Sequence, residues 1–461
     1  MTAWAAGFSV LSILRHRAFN TGRFDLGNMV QAVWSTAHGH PLRVTALDGQ
    51  QLSRLASHFD PILAAFAPLW WLWPSPDVLL VAQATLIAAG ALPVYRLARK
   101  HVGSERAGLG FAVAYLLYPA TQWLALNEFH PVALACPLLL FAFWYLDEAR
   151  LVPFAVFALA ACTTKEEIGL VVAGLGIWYA VARRKWAAGG LAAAGGLLVS
   201  ALAIYLVVPH FNGAASSFYS RYSEVGGSAG GIVKTAFTHP LRLASHAFGA
   251  HGLHYLGELV LPLGALCLLA PAALIAALPE LALNLLSQNR FQSSIHFHYT
   301  GGLIPPLVVA TVLGGARVAR LRPAWRARLP AVIVALGLVA NWHLGAVPLW
   351  SYMPGGEDLQ ATEAHVTEHD RISERAVELV PDDAVVSATN ALGAHLSARR
   401  RVLSMPRLAD ATWVAADETR PTYLDRNDAV AETTALLRLR RNPRWRLVFE
   451  EDGILLFQRI R

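Results

Sequence analysis

LVPFAVFALAACTTKEEIGLVVAGLGIWYAVA, residues 151–182, decides how the chain is read. About 20 apolar residues carry an α-helix across about 30 Å of hydrocarbon, and this run is much longer. Thr163-Thr164-Lys165-Glu166-Glu167 interrupts its middle. Three charges at the centre of a spanning helix would cost roughly 2.5–3.5 kcal/mol each. A hairpin moves them to its apex and removes most of that cost, so two helices with a polar apex are expected.

Applied outward, the same criterion gives spans at 78–98, 107–125, 132–147, 186–208, 300–319 and 330–350. It adds a second hairpin at 255–287 and a short first span at 2–14, about eleven transmembrane helices in all. Three basic clusters then fall on one side: Arg96, Arg99, Lys100 and Arg106; Arg183, Arg184 and Lys185; Arg317, Arg320, Arg322, Arg326 and Arg328. Cytoplasmic loops carry such clusters, so the N-terminus is expected inside and the C-terminus outside. Arg15 and Arg17 dissent. The outer side receives a first loop at 15–77, a loop at about 209–254 and the tail. Within the first loop, HFDPILAAFAPLWWLW (58–73) is apolar but divided by Pro61 and Pro68. It reads as a helix lying in the interface, where tryptophans are favoured.

Composition agrees with a bilayer protein. Of 461 residues, 55% are hydrophobic and 15% charged, and mean hydropathy is +0.42. These values exclude a disordered chain and a disulfide scaffold. The pI near 9.5 does not point to nucleic acid, because the cations sit between apolar runs, where they meet membrane lipids. Residues 351–461 hold 15 Arg and 18 Asp or Glu, against 23 Lys or Arg and 13 acids in residues 1–350. The expected fold is an α-helical polytopic membrane domain (1–350) followed by a small C-terminal α/β soluble domain (351–461). In the latter, 363–379 and 429–441 read as helices and 384–388, 412–416 and 446–450 as strands. Cys136, Cys162 and Cys267 lie inside apolar runs and read as small core residues. The N-terminus lacks a basic stretch before its apolar run, so no cleavable signal is expected.

Five polar constellations sit at expected outer span ends. Asp25, in Phe24-Asp25-Leu26-Gly27, is placed to act as a general base or metal ligand, or to cap the amphipathic helix starting near Gly27. Lys165 and Glu166 at the apex suit a lipid-linked phosphate, or a salt bridge that only stabilises the turn. His58-Phe59-Asp60-Pro61 and Glu128-Phe129-His130-Pro131 each pair an imidazole with a carboxylate two residues away, which suits phosphate, metal or an interfacial hydrogen bond. Arg290 can grip a phosphate through two N–H groups, with His298 and Tyr299 at the rim; Tyr299 equally suits an aromatic belt. Of 17 histidines, 12 fall in the expected outer loops ahead of the tail. No HExxH or CxxC pattern occurs, so no tight metal site is expected, while weak Mg²⁺ or Mn²⁺ binding stays open.

FDLGNMVQAVW (24–34), HFDPILAAFAPL (58–69), NEFHPVALACPLLL (127–140), TTKEEIGL (163–170), HFHYTGGLIPP (296–306) and SATNALGAHLSARRRVLSMP (387–406) resemble the membrane family known as domain of unknown function 2079. That family in turn is similar in plan to GT-C glycosyltransferases, which use polyprenyl-phosphate sugars at the outer face. The shared plan is a first span, an outer loop with an early acid and interfacial helices, then many spans. The resemblance implies that Asp25 is the catalytic acid of the first loop. Many GT-C enzymes carry two adjacent acids there, whereas Asp25 stands beside Leu26, so the likeness does not extend to a paired-carboxylate metal site.

A membrane glycosyltransferase is therefore the leading expectation. Asp25 would deprotonate the acceptor hydroxyl. Lys165 and Arg290 would hold the polyprenyl phosphate, and His58, Asp60, Glu128, His130, Glu166, His298 and Tyr299 would bind sugar or phosphate. No cofactor is required beyond the open question of Mg²⁺ or Mn²⁺, and the acceptor is unassigned. Two rival classes are a transporter or flippase, which would place Lys165-Glu166-Glu167 at mid-membrane, and an envelope scaffold, in which Asp25 would face no cavity.

Overall fold

The computed structural model describes residues 1–213, 217–346 and 364–460. The expected domain boundary at 350/351, the end of the 330–350 span and the start of the 363–379 helix lie outside the described residues.

The 151–182 run folds as two helices, Leu151–Cys162 and Ile168–Arg183, with the Thr163–Glu167 segment at their junction. Four helices are long and apolar enough to cross a membrane: Asp77–Val102, Trp186–Asn212, Ile304–Leu321 and Trp325–Leu344. Glu105–Leu117 and Pro119–Leu126 together make a fifth, bent by 50°. The bend falls where Tyr118, extended at ψ 119°, precedes Pro119; proline excludes its predecessor from helical geometry. Other apolar helices, among them Pro131–Asp147 and Pro271–Leu286, are shorter. Length and composition thus support four or five spans among the described residues and not eleven. Much of the shortfall lies in expected spans that fold as helices shorter than 18 residues. The 255–287 run is no plain hairpin: Gly264 and Ala265 adopt left-handed φ of 62° and 54°, and Pro271 starts a new helix. The first helix is Thr2–Arg17, so Arg15 and Arg17 end it instead of following it.

The first loop is an ordered layer. A one-turn π-helix, Arg23–Gly27, leads into the helix Asn28–Ala37, whose Val30 and Val33 are fully buried. A two-stranded antiparallel hairpin follows, Arg43–Thr45 against Gln51–Ser53. The segment at 58–73 forms Pro61–Phe66 and Ala67–Leu72, burying Leu63 and Trp70 and exposing Trp71, Leu72 and Trp73. That asymmetry suits a membrane surface.

The tail builds a five-stranded sheet in the order Val402–Ser404, Val386–Ala388, Trp413–Asp417, Ile454–Arg459, Trp445–Glu451. The first three strands pair in parallel and the last three antiparallel. The helix Glu368–Glu378 starts with a capping box, Thr367 and Asp370 each bonding the other's backbone N–H. The sheet does not hang free. Arg23, 3% exposed, donates to the Val402 carbonyl, to Ser404 Oγ and to the Thr45 carbonyl. Gln31 donates to the carbonyls of Arg399 and Arg400. The tail therefore closes over the first loop.

Candidate active site

Asp25 sits in the π-turn, and its side chain caps no helix: neither Gly22 nor Gly27, the flanking cap positions, involves a side-chain bond. The carboxylate instead faces His130, with Oδ1 3.5 Å from Nε2, and accepts from the Tyr423 hydroxyl at Oδ2, 3.3 Å away. Burial and the neighbouring Asp25 push the Tyr423 phenol well above its usual range, so it stays a donor.

Glu128 fixes the turn that carries Asp25. Its carboxylate accepts the backbone N–H groups of Gly22 at 3.1 Å and Leu26 at 2.8 Å. Burial and then Asp25 push Glu128 up to about 8, against the pull of those two donors. Glu128 takes a left-handed φ of 49° to reach inward. Gln83, fully buried, donates to the Glu128 carbonyl and accepts from the His130 N–H at 3.0 Å, which holds the 128–130 bend. The tail meets the turn from the other side, where Asn390 Oδ1 accepts the Phe24 N–H. The seam is close: a Cβ on Gly22 would lie 2.6 Å from Asn390 Nδ2 and one on Gly27 2.4 Å from Ser397 Oγ, so a side chain at either position would displace those tail groups.

Asp25, His58, Asp60, His130, Lys165, His298 and Tyr299 line one cavity of about 110 Å³ together with Arg54 and Arg221. A second cavity of about 180 Å³ shares His58, Lys165, Arg221 and Tyr299 with it and adds Glu166 and Glu280. Lys165 Nζ pairs with Glu167 at 2.6 Å and stands 5.3 Å from the Tyr299 ring centre. Burial lowers the Lys165 pKa, but Glu167 and Glu166 outweigh it and hold the ammonium charged. His58 Nδ1 meets Glu166 at 2.9 Å, and the other Glu166 oxygen accepts the Phe59 N–H at 3.0 Å, so Glu166 ties the first loop to the junction. Arg54 binds Asp60 at 2.9 Å, leaving Asp60 Oδ1 buried and without a hydrogen bond among the described residues.

His130 and His298 stack with ring centres 3.7 Å apart. His130 Nδ1 faces the Asn127 carbonyl at 2.8 Å and so carries a hydrogen, which aims Nε2 at Asp25. Burial, the His130 ring and Lys165 together lower the His298 pKa well below its usual value, so this ring is neutral.

Two expected site residues fall elsewhere. Arg290 is exposed and lines neither cavity. The bonds from Asn289 N–H to Ser287 Oγ and from Phe291 N–H to Asn289 Oδ1 form a tight turn there, and the Arg290 side chain stands on its outer side. Arg221 takes the place foreseen for it, donating to Tyr299 Oη and Gln292 Oε1 at 3.4 Å each. Glu128 lines no cavity and acts on Asp25's backbone. Tyr423, Gln83 and Arg221 had no flag in the sequence; the one signal for Arg221 was a cation in an expected outer loop. Among the described residues, no group of three or more His, Cys, Asp or Glu is placed to hold a metal ion.

Residues 15–456 match the family DUF2079, described as a predicted membrane protein. The chain belongs to that family. No curated protein matches it. The fold is similar to that of ArnT from Cupriavidus metallidurans bound to undecaprenyl phosphate, with a TM-score of 0.56 and 13% identity over 99% of this chain and 98% of that one. Apo ArnT matches over the same shares at 13% identity with a TM-score of 0.51. The DUF2079 chain is thus a predicted membrane protein whose fold is similar to that of ArnT.

Proposed function

We propose that the protein is a GT-C-type glycosyltransferase that moves a sugar from a polyprenyl-phosphate donor to a cell-envelope acceptor at the outer face of the membrane. The observation that carries this reading is a single cavity in which Asp25 stands with the cations Lys165 and Arg221, beside the mutually paired Arg54 and Asp60. ArnT, of similar fold, binds undecaprenyl phosphate, and the same lipid chemistry suits this cavity.

In this reading Asp25 takes the proton of the acceptor hydroxyl. The hydroxyl oxygen attacks the anomeric carbon from the face opposite the phosphate. The carbon–oxygen bond to the phosphate breaks, its electron pair leaves on the polyprenyl phosphate, and configuration inverts. Lys165 and Arg221 offset the charge that collects on the leaving phosphate. Tyr423 holds Asp25 in place through its hydroxyl, and the tail covers the site. The outward placement of site and tail follows from the basic clusters on the opposite side. The Lys165–Glu167 junction is separated from the basic Arg183 end by a helix of about 24 Å, which supports a span-end position for Lys165 over the mid-membrane one expected of a transporter.

Undecaprenyl-phosphate binding tests the assignment of the cations. A charge-assisted hydrogen bond contributes about 1.5–3 kcal/mol, so Arg221→Ala is expected to weaken binding about tenfold or more. Arg290→Ala should bind as wild type. The opposite ranking would return the phosphate to Arg290 and remove this cavity from the donor site.

A further inference from the structure

The helices that carry the candidate site carry a second charged recess at their other ends. Pro131–Asp147, Ile168–Arg183 and Ile304–Leu321 start close in sequence to His130, Lys165 and Tyr299 and finish near Asp147, Arg183 and Arg320. The helix Ile168–Arg183 alone rises about 24 Å at helical pitch, most of the hydrocarbon thickness of about 30 Å. Site and recess thus stand on opposite faces of the membrane domain.

The recess encloses about 690 Å³ and is lined by Lys100, Arg183, Arg317 and Arg320 over an apolar floor that includes Trp178 and Leu313. Asp147, whose side chain is 1% exposed, organises part of it. It receives Lys100 Nζ at 2.7 Å, His101 Nε2 at 2.9 Å and the Arg183 guanidinium. Glu148 takes a further bond from Lys100 at 2.7 Å. Arg317 donates one bond, to the Leu269 carbonyl at 3.3 Å. Arg320 makes no hydrogen bond or ion pair among the described residues. Four cations therefore meet two carboxylates, and the two arginines of Ile304–Leu321 pair with neither.

Arginines at the basic end of a span ordinarily extend into water, where they need no partner. Here they border a walled recess, with Leu269 exposed at its edge. Guanidinium forks match phosphate oxygens in geometry, and basic pockets between helices on the cytoplasmic side suit anionic headgroups. We propose that this recess binds a phosphate anion: the headgroup phosphate of an anionic phospholipid, with its chains against the apolar edge, or a soluble phosphate ester of the same chemistry. The proposal does not depend on the transferase reading.

Native mass spectrometry of the full-length protein, released from detergent with phosphatidylglycerol, phosphatidylcholine or glycerol 3-phosphate, tests it. Wild type is expected to retain phosphatidylglycerol over phosphatidylcholine. Arg317→Ala/Arg320→Ala should reduce that retention about tenfold or more, and Arg317→Lys/Arg320→Lys should keep the preference. Arg320→Ala removes no bond seen in the structure, so it keeps the comparison readable if the double variant unfolds. Glycerol 3-phosphate binding that is lost in the variants, without lipid preference, would identify a soluble ester as the ligand of the same site. Equal retention of both lipids, or retention of phosphatidylglycerol unchanged in both alanine variants, with no glycerol 3-phosphate binding, would overturn the proposal.

Discussion

Asp25 illustrates what a single residue reveals in sequence and what it hides. Its place soon after the first span, before an amphipathic helix, marked it as either base or cap. The structure decides against the cap, because the carboxylate bonds Tyr423 and faces His130. Tyr423 was illegible because it lies 398 positions away and meets Asp25 only through the folded tail. Removing its hydroxyl in Tyr423→Phe leaves the ring and takes one hydrogen bond from Asp25. Turnover should fall about 5–10-fold with the melting temperature unchanged, as measured in parallel on the purified variant. Activity equal to wild type would make the contact incidental. Arg221 and Arg290 teach the converse. The sequence reading expected a second cation and chose the one beside a histidine-rich motif, whereas local turn bonds at Ser287 and Asn289 accompany an exposed Arg290.

At the scale of elements, the Lys165–Glu167 junction was the most legible feature, since three charges inside a continuous helix are too costly. What the pattern could not show is that Glu166 reaches back to His58 and the Phe59 N–H and so joins two elements. Burial alone would raise the Glu166 pKa; His58 and Lys165 outweigh it and hold the carboxyl well below its usual range. A depressed folded-state pKa stabilises the fold above the unfolded pKa, about 4.3, and that stability is lost as pH falls through the folded value. Wild type should therefore lose melting temperature between about pH 5 and 3 more steeply than Glu166→Gln, which is already weakened at pH 7. Parallel pH curves would contradict the clamp. Glu128 behaves in the opposite sense. Its raised pKa means that stability from the protonated form fades as pH rises from the usual carboxylate range toward 8. Glu128→Gln should flatten that decline in melting temperature; an unchanged slope would show that the carboxyl is already ionised in the fold. The second hairpin, at 255–287, folds back so that Asn284 bonds the Tyr255 hydroxyl, but its breaks rest on backbone geometry at Gly264 and Ala265, which an apolar run does not display.

For the whole molecule, hydropathy and the uneven charge separated membrane helices from tail, and the tail's three expected strands all formed. The strands Val402–Ser404 and Ile454–Arg459 were missed. The first is only three residues long and draws its place from the sheet and from Arg23 beneath it. The docking of tail on loop was invisible for the same reason as Tyr423: it rests on contacts between distant segments. Stacked His16 and His395, 4.0 Å apart, and the Arg23 bonds to Val402 and Ser404 make this a built interface. Arg23→Ala should then increase protease cleavage within the first loop and lower turnover together. Unchanged protection would separate the two parts.

The central claim is that Asp25 and Arg221 serve one transfer reaction in one cavity. Turnover of radiolabelled polyprenyl-phosphate sugars by the purified protein in nanodiscs tests it most directly. Wild type should consume a donor, Asp25→Asn should lose about 100-fold or more, Arg221→Ala should lose about tenfold or more, and Arg290→Ala should match wild type, all with intact folding. Equal turnover by wild type, Asp25→Asn and Arg221→Ala would contradict the account.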